Sequence, residues 1–111
     1  MRKTQLWKWH EDHGGRMVEF AGWYLPVQFS SIIEEHMAVR EKVGIFDVSH
    51  MGRYRIKGKH AQKVAEILVP RDINAMPNNK CGYTFYLNER GGFRDDTIVG
   101  KITEEDFWIV C

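Results

Sequence analysis

Apolar and polar residues alternate in some stretches of this chain and recur every three or four positions in others, and the two periods separate strands from helices. The clearest helix follows Ser31. Ile32, His36, Val39 and Val43 recur at steps of four, three and four, while Glu34, Glu35, Arg40, Glu41 and Lys42 are mostly displaced from that stripe. Ser31-Ile32-Ile33-Glu34 has the spacing of a capping box, in which the hydroxyl accepts from the amide three residues on and the carboxylate reaches back to the cap amide. Gly44 is placed to end the helix in a left-handed conformation. A second amphipathic helix carries Ala61, Val64, Ala65 and Leu68 and is closed by Pro70. A shorter one, two turns at most, takes Thr4 as its cap, carries Leu6 and Trp9, and stops at Gly14-Gly15.

The strands follow from alternation. Met17 and Glu19 face away from Val18 and Phe20, giving a strand and then an irregular loop that Pro26 keeps extended. Ile45–His50 reads as a strand or the approach to one. Between Gly52 and Gly58, Tyr54 and Ile56 alternate with Arg53, Arg55 and Lys57, a half-buried strand with a basic outer face. Tyr83–Leu87 and Thr97–Val99 flank a hairpin loop, Asn88–Gly92, and should pair antiparallel. Phe107–Val110 is a last strand, followed only by Cys111, and is expected to leave an unpaired apolar edge through which a homo-oligomer could form. With no repeat, low-complexity tract or linker, residues 1–111 read as a single α+β unit, a mixed or antiparallel sheet with two main helices.

Composition narrows the function classes. Hydrophobic residues at 43% and charged residues at 28% exclude a disordered tail and a coiled coil. A formal charge of +1 supplies no global field for a polyanion, so Arg53, Arg55, Lys57, Lys59 and Lys63 read as a solvated sheet face and nucleic acid is not implied. No apolar run approaches the roughly 18–20 residues of a membrane span, and Met1–His10 is too polar for a signal peptide, which makes the cytoplasm the default location. A processed mitochondrial matrix protein would read the same. Cys81 and Cys111 form no disulfide framework.

Candidate chemistry centres on Asp95-Asp96, between the hairpin loop and Ile98-Val99. Adjacent side chains of a strand point to opposite faces: Asp96 shares a face with Ile98, and Asp95 with Thr97 and Val99. Alternation alone leaves open which face is covered. A carboxylate in a partly apolar site can stabilise a developing cation or carry a proton, whereas the ordinary use of such a pair is to solvate a strand end. Asp47 with His50, and His10 with His13, are incomplete as metal sites, which need three or four ligands. Cys81 beside Lys80 reads as an ordinary thiol, and Met17, Met37, Met51 and Met76 as core filler.

Three blocks carry a resemblance: Phe20–Phe29 (Phe-Ala-Gly-Trp-Tyr-Leu-Pro-Val-Gln-Phe), Glu35–Arg40, and Val43–Gly52 with its Phe-Asp-Val-Ser-His-Met-Gly core. In order and spacing they resemble the opening of aminomethyltransferase, the T-protein of the glycine cleavage system. Asn88–Val99 likewise resembles that family's Gly-Gly-x-x-Asp-Asp segment, so the resemblance covers essentially the whole chain.

The resemblance implies a tetrahydrofolate-dependent transfer that takes the aminomethyl group from the lipoyl arm of a carrier protein (H-protein), releases ammonia and leaves 5,10-methylenetetrahydrofolate. It makes Asp96 the essential carboxylate, orienting the folate and stabilising the iminium-like charge that develops as ammonia leaves. Met51, Tyr83 and Ile98 match positions lining the folate cavity. There are departures: most of a family member, including further folate anchors, corresponds to nothing in this chain, Gly100 stands where many relatives carry an aromatic residue, and Cys81-Gly82 alters the approach to Tyr83. Lys80-Cys81-Gly82-Tyr83 differs in order and place from the Lys-Gly-Cys-Tyr of another branch of the superfamily. Two expectations follow: an incomplete enzyme that needs a completing chain and is inactive alone, or a non-catalytic short paralogue acting as a folate-binding or oligomeric assembly module.

Overall fold

A computed structural model describes residues 1–111 and contains three helices and seven strands in two sheets, the expected α+β class. The chain divides into two units, Met1–His50 and Met51–Cys111.

In the first unit, β1 (Arg2–Lys3) runs parallel and β2 (Met17–Phe20) antiparallel to a central β3 (Trp23–Pro26). The expected irregular loop is therefore a strand. Ala21 and Gly22, with φ of 48° and 84°, form a two-residue hairpin turn, and the Glu19 carboxylate accepts from the Gly22 amide at 2.6 Å. Ala-Gly is not a typical pair for a turn needing two positive φ values, which is why the pattern does not announce it. The first helix, α1 (Trp7–Asp12), packs on β3 and buries His10, leaving Leu6 and Trp9 about half exposed. Thr4 does not cap it. Thr4 is buried, and its hydroxyl donates instead to Asp47, 43 residues away.

The helix α2 (Ile32–Glu41) has its Ser31 cap, whose hydroxyl accepts from the Glu34 amide at 3.5 Å. The reciprocal bond from a carboxylate to the Ser31 amide is not made; Glu35 Oε1 instead accepts from the amides of Phe29 and Ser30, just before the cap, at 2.6 and 2.8 Å. The helix stops at Glu41, and Gly44 does not adopt the left-handed conformation expected of it. No residue of α2 is buried, and residues 43–50 form no strand.

In the second unit, β4 (Arg53–Lys57), β5 (Lys80–Leu87), β6 (Phe93–Thr103) and β7 (Asp106–Val110) form an antiparallel sheet in the order β4-β7-β6-β5. The β5–β6 hairpin turns through Asn88–Gly92, where the Asn88 Oδ1 accepts from the amides of Arg90 and Gly92, each at 2.9 Å. One face is closed by α3 (Ala61–Leu68) and the segment after it. Ala61, Ala65, Val69, Ile73 and Met76 pack there against Val99, Phe107 and Ile109, with Ile56 and Tyr86 at the margin. Lys101 is also buried, its Nζ donating to the Ile73 carbonyl at 3.3 Å and tying that segment to β6.

The position of β7 corrects the edge expected at Phe107–Val110. The strand lies inside the sheet, bonded to β4 on one side and β6 on the other, so the apolar side chains meet core and the backbone has no free edge for a second copy. The sheet's edges are β4 and β5. Phe107 is fully buried, so Phe107→Ala is expected to destabilise the fold by about 3–5 kcal/mol, read as a lower urea midpoint by circular dichroism. A change below about 1 kcal/mol would show that β7 is not the centre of the packing.

Candidate functional site

The closed face of the sheet decides what its other face presents. In β6, Thr97 and Val99 are buried, which sends Asp96, Ile98 and Gly100 to the open side. The register with β5 pairs Tyr83 with Ile98 and Phe85 with Asp96, so Tyr83 and Phe85 share that side. The Tyr83 hydroxyl donates to Asp96 Oδ2 at 3.0 Å. Tyr83 is 58% exposed and Ile98 41%. That hydrogen bond, helped by partial burial and the carboxylate's charge, pushes the phenol up from its ordinary value and keeps it a donor. Phe85 meets the Tyr83 ring edge-on at 5.3 Å and the Phe93 ring at 4.8 Å. The result is a carboxylate beside an aromatic row on an uncovered sheet face.

Of the four residues the resemblance singles out, the structure brings Tyr83, Asp96 and Ile98 onto one face. Met51 stands before Gly52, which exchanges backbone hydrogen bonds with Cys111 and so extends the β4–β7 ladder. By register this is the end of the sheet at which Asp95 and Asp96 lie.

Other members of this face carry no local signal in the sequence. Arg55 and Asp106 are 51 residues apart, yet they form a bidentate pair at 2.8 and 2.6 Å, and the guanidinium lies 5.5 Å from the Trp108 ring centre. Arg55 holds the Asp106 carboxyl below the usual carboxylate range. Arg71 approaches from the covered side of the sheet instead: it crosses Gly82, which pairs with buried Val99 and where a Cβ would collide with the guanidinium, and donates to the Tyr83 carbonyl at 3.1 Å. The glycine between Cys81 and Tyr83 thus makes room for a side chain that fixes Tyr83. Phe85 was legible in principle, since it stands two residues from Tyr83 in an alternating strand.

The histidine and aspartate pairs exchange partners. Asp47 meets His10, not His50, with Nε2 3.0 Å from Oδ2. The same oxygen accepts from Thr4 at 2.9 Å, and Oδ1 from the Ser49 amide at 2.9 Å. His13 stacks on Trp9 at 4.0 Å, and His50 lies edge-on to Phe20 and Trp23. No group of three or more His, Cys, Asp or Glu side chains is arranged to hold a metal ion. Burial opposes ionisation of Asp47, but donation from Ser49, His10 and Thr4 outweighs it and holds the carboxyl well below the usual range.

The fold is that of an α+β domain with an open carboxylate-bearing sheet face, and comparison with known proteins gives its family. The family model for the GCVT N-terminal domain matches residues 6–111, and the chain belongs to that family. An aminomethyltransferase of Clostridium botulinum (strain 657 / Type Ba4) is 47% identical over 110 residues, covering 99% of this chain and 30% of its own length. One from Staphylococcus haemolyticus is 46% identical over the same shares, and a probable aminomethyltransferase of Pyrococcus furiosus is 43% identical, with 28% of its length covered. The crystal structure of glycine cleavage system aminomethyltransferase T from Bartonella henselae superposes with a TM-score of 0.86 at 31% identity, over 98% of this chain and 30% of that one. The chain therefore spans under a third of the length of these relatives.

Two measurements test the electrostatics. Asp47 has a lower pKa folded than unfolded, so its contribution to stability is complete above the unfolded value of about 3.9 and is lost as pH falls below it. Urea unfolding between pH 7 and pH 3 should show a decline below about pH 4 that is shallower in Asp47→Asn; parallel declines would reject the assignment. In Asp96→Asn the Tyr83 phenol should titrate closer to its ordinary value of about 10, followed by NMR of ring-labelled tyrosine. An unmoved Tyr83 resonance would mean that the pair does not form in solution.

Proposed function

We propose that this chain is the opening segment of a tetrahydrofolate-dependent aminomethyltransferase of the glycine cleavage system and acts when joined by the remainder of such an enzyme. The observation carrying this reading is the Tyr83–Asp96 pair on an open sheet face, in a chain whose curated relatives are aminomethyltransferases at over 40% identity. The partner implied is the lipoyl carrier, H-protein.

The residues fit a folate. A flat heteroaromatic ring can lie on apolar Ile98 and against the Tyr83 and Phe85 rings, and Asp96 offers a carboxylate to ring N–H groups. Met51 would close the rim. Tetrahydrofolate, when bound, supplies the two nitrogens that take the methylene carbon from the amine and the lipoyl sulfur, their two protons leaving with ammonia and the thiol. Asp96 provides a fixed negative charge for the positive charge that develops at the transferred carbon as ammonia departs. Tyr83 positions that carboxylate by occupying one of its oxygens, and Arg71 positions Tyr83 in turn.

The isolated chain should show no measurable conversion of aminomethyl-lipoyl carrier and tetrahydrofolate. A chimera in which it replaces the matched 110 residues of the Clostridium botulinum relative should be active, and Asp96→Asn in that chimera should lower kcat by about 10²–10³-fold. Unchanged kinetics of the variant, or turnover by the isolated chain, would overturn the reading.

A further inference from the structure

We infer that the surface formed by α2 and residues 43–48 is the docking site for the C-terminal remainder of an aminomethyltransferase polypeptide, an inference that rests on the function proposed above. This surface is apolar and uncovered: Ile45 is 98% exposed, Val43 82%, Ile33 74% and Phe46 69%. A ten-residue helix with no buried side chain lacks the tertiary burial that normally stabilises a helix of that length, so a covering partner is the missing contribution. Helix and segment meet at Gly44, where a Cβ would press on Val39 and lie 3.4 Å from the Phe46 ring, so the exposed Val39 and Phe46 side chains adjoin.

The segment is not a loose coil. Asp47, near its end, is held by Thr4, His10 and the Ser49 amide, while its neighbours Ile45, Phe46 and Val48 are exposed. A buried carboxylate that anchors a strip of exposed apolar side chains pre-organises the strip for binding. Glu34, Arg40, Glu41 and Lys42 supply a polar border, the usual arrangement of an interface. The occupant follows from chain length. Relatives match 99% of this chain with only 30% of their own, so most of such a protein lies outside the matched stretch and is available to cover the patch.

The test is association in trans. Co-expressed with the unmatched remainder of the Clostridium botulinum relative, this chain should purify as a one-to-one complex. Ile45→Asp combined with Phe46→Asp should weaken that complex by at least about tenfold. The same substitutions should leave the isolated chain's circular dichroism and urea midpoint unchanged, since both side chains are already in water. In the chimera they should lower the melting temperature by about 5 °C or more. Failure of the wild-type chain to recover the remainder, equal affinity of the double variant, or a concentration-dependent homodimer abolished by those substitutions would each overturn the proposal. Variant-sensitive binding without transferase activity would reject the function and keep the surface. A chimera sensitive to Asp96→Asn but indifferent to the apolar substitutions would do the reverse.

Discussion

The burial of one face of the four-stranded sheet under α3 and residues 69–76 sets the direction of every side chain in β4, β5, β6 and β7. Side chains of a strand alternate, so once Val99, Phe107 and Ile109 are committed to the core, Asp96, Ile98 and Tyr83 have no choice but the opposite side. A slip of one residue would exchange the two sets, placing a carboxylate in the core and valine in water. The cost of that exchange is what protects the register of the site.

The open face is built as a sequence of supports. Gly82 admits Arg71 from the covered side, Arg71 holds the Tyr83 carbonyl, and the Tyr83 hydroxyl holds Asp96 on the open side. On the other side of Ile98, Asp106 fixes Arg55, which lies by Trp108. These residues come from four strands and one loop, so the face can be pre-organised without enclosing a cavity. The first unit uses a different device, a single buried carboxylate, Asp47, that takes up donors from Thr4, from α1 and from its own segment.

Local chemistry made much of this readable in advance. The Ser31 cap, the closure of α3 near Pro70, the Asn88–Gly92 hairpin and the split of Asp95 from Asp96 each follow from a few consecutive residues, because caps, turns and alternation are short-range effects. The misread features are those in which a distant partner outbids a local preference. Thr4 leaves the helix it could have capped for Asp47, Asp47 takes His10 over nearby His50, and Gly44 is not used as a stop.

By itself, then, the sequence determined the α+β class, the antiparallel hairpin bearing Asp96, and the blocks that mark the family. Only the tertiary structure decided which of two adjacent aspartates meets the open face, and that Phe107–Val110 runs inside the sheet with no exposed edge. The reason is physical. Alternation defines two faces but not which is covered, and a strand's own residues do not record how many neighbours it has; both depend on where α3 and β4, far back in the chain, come to pack.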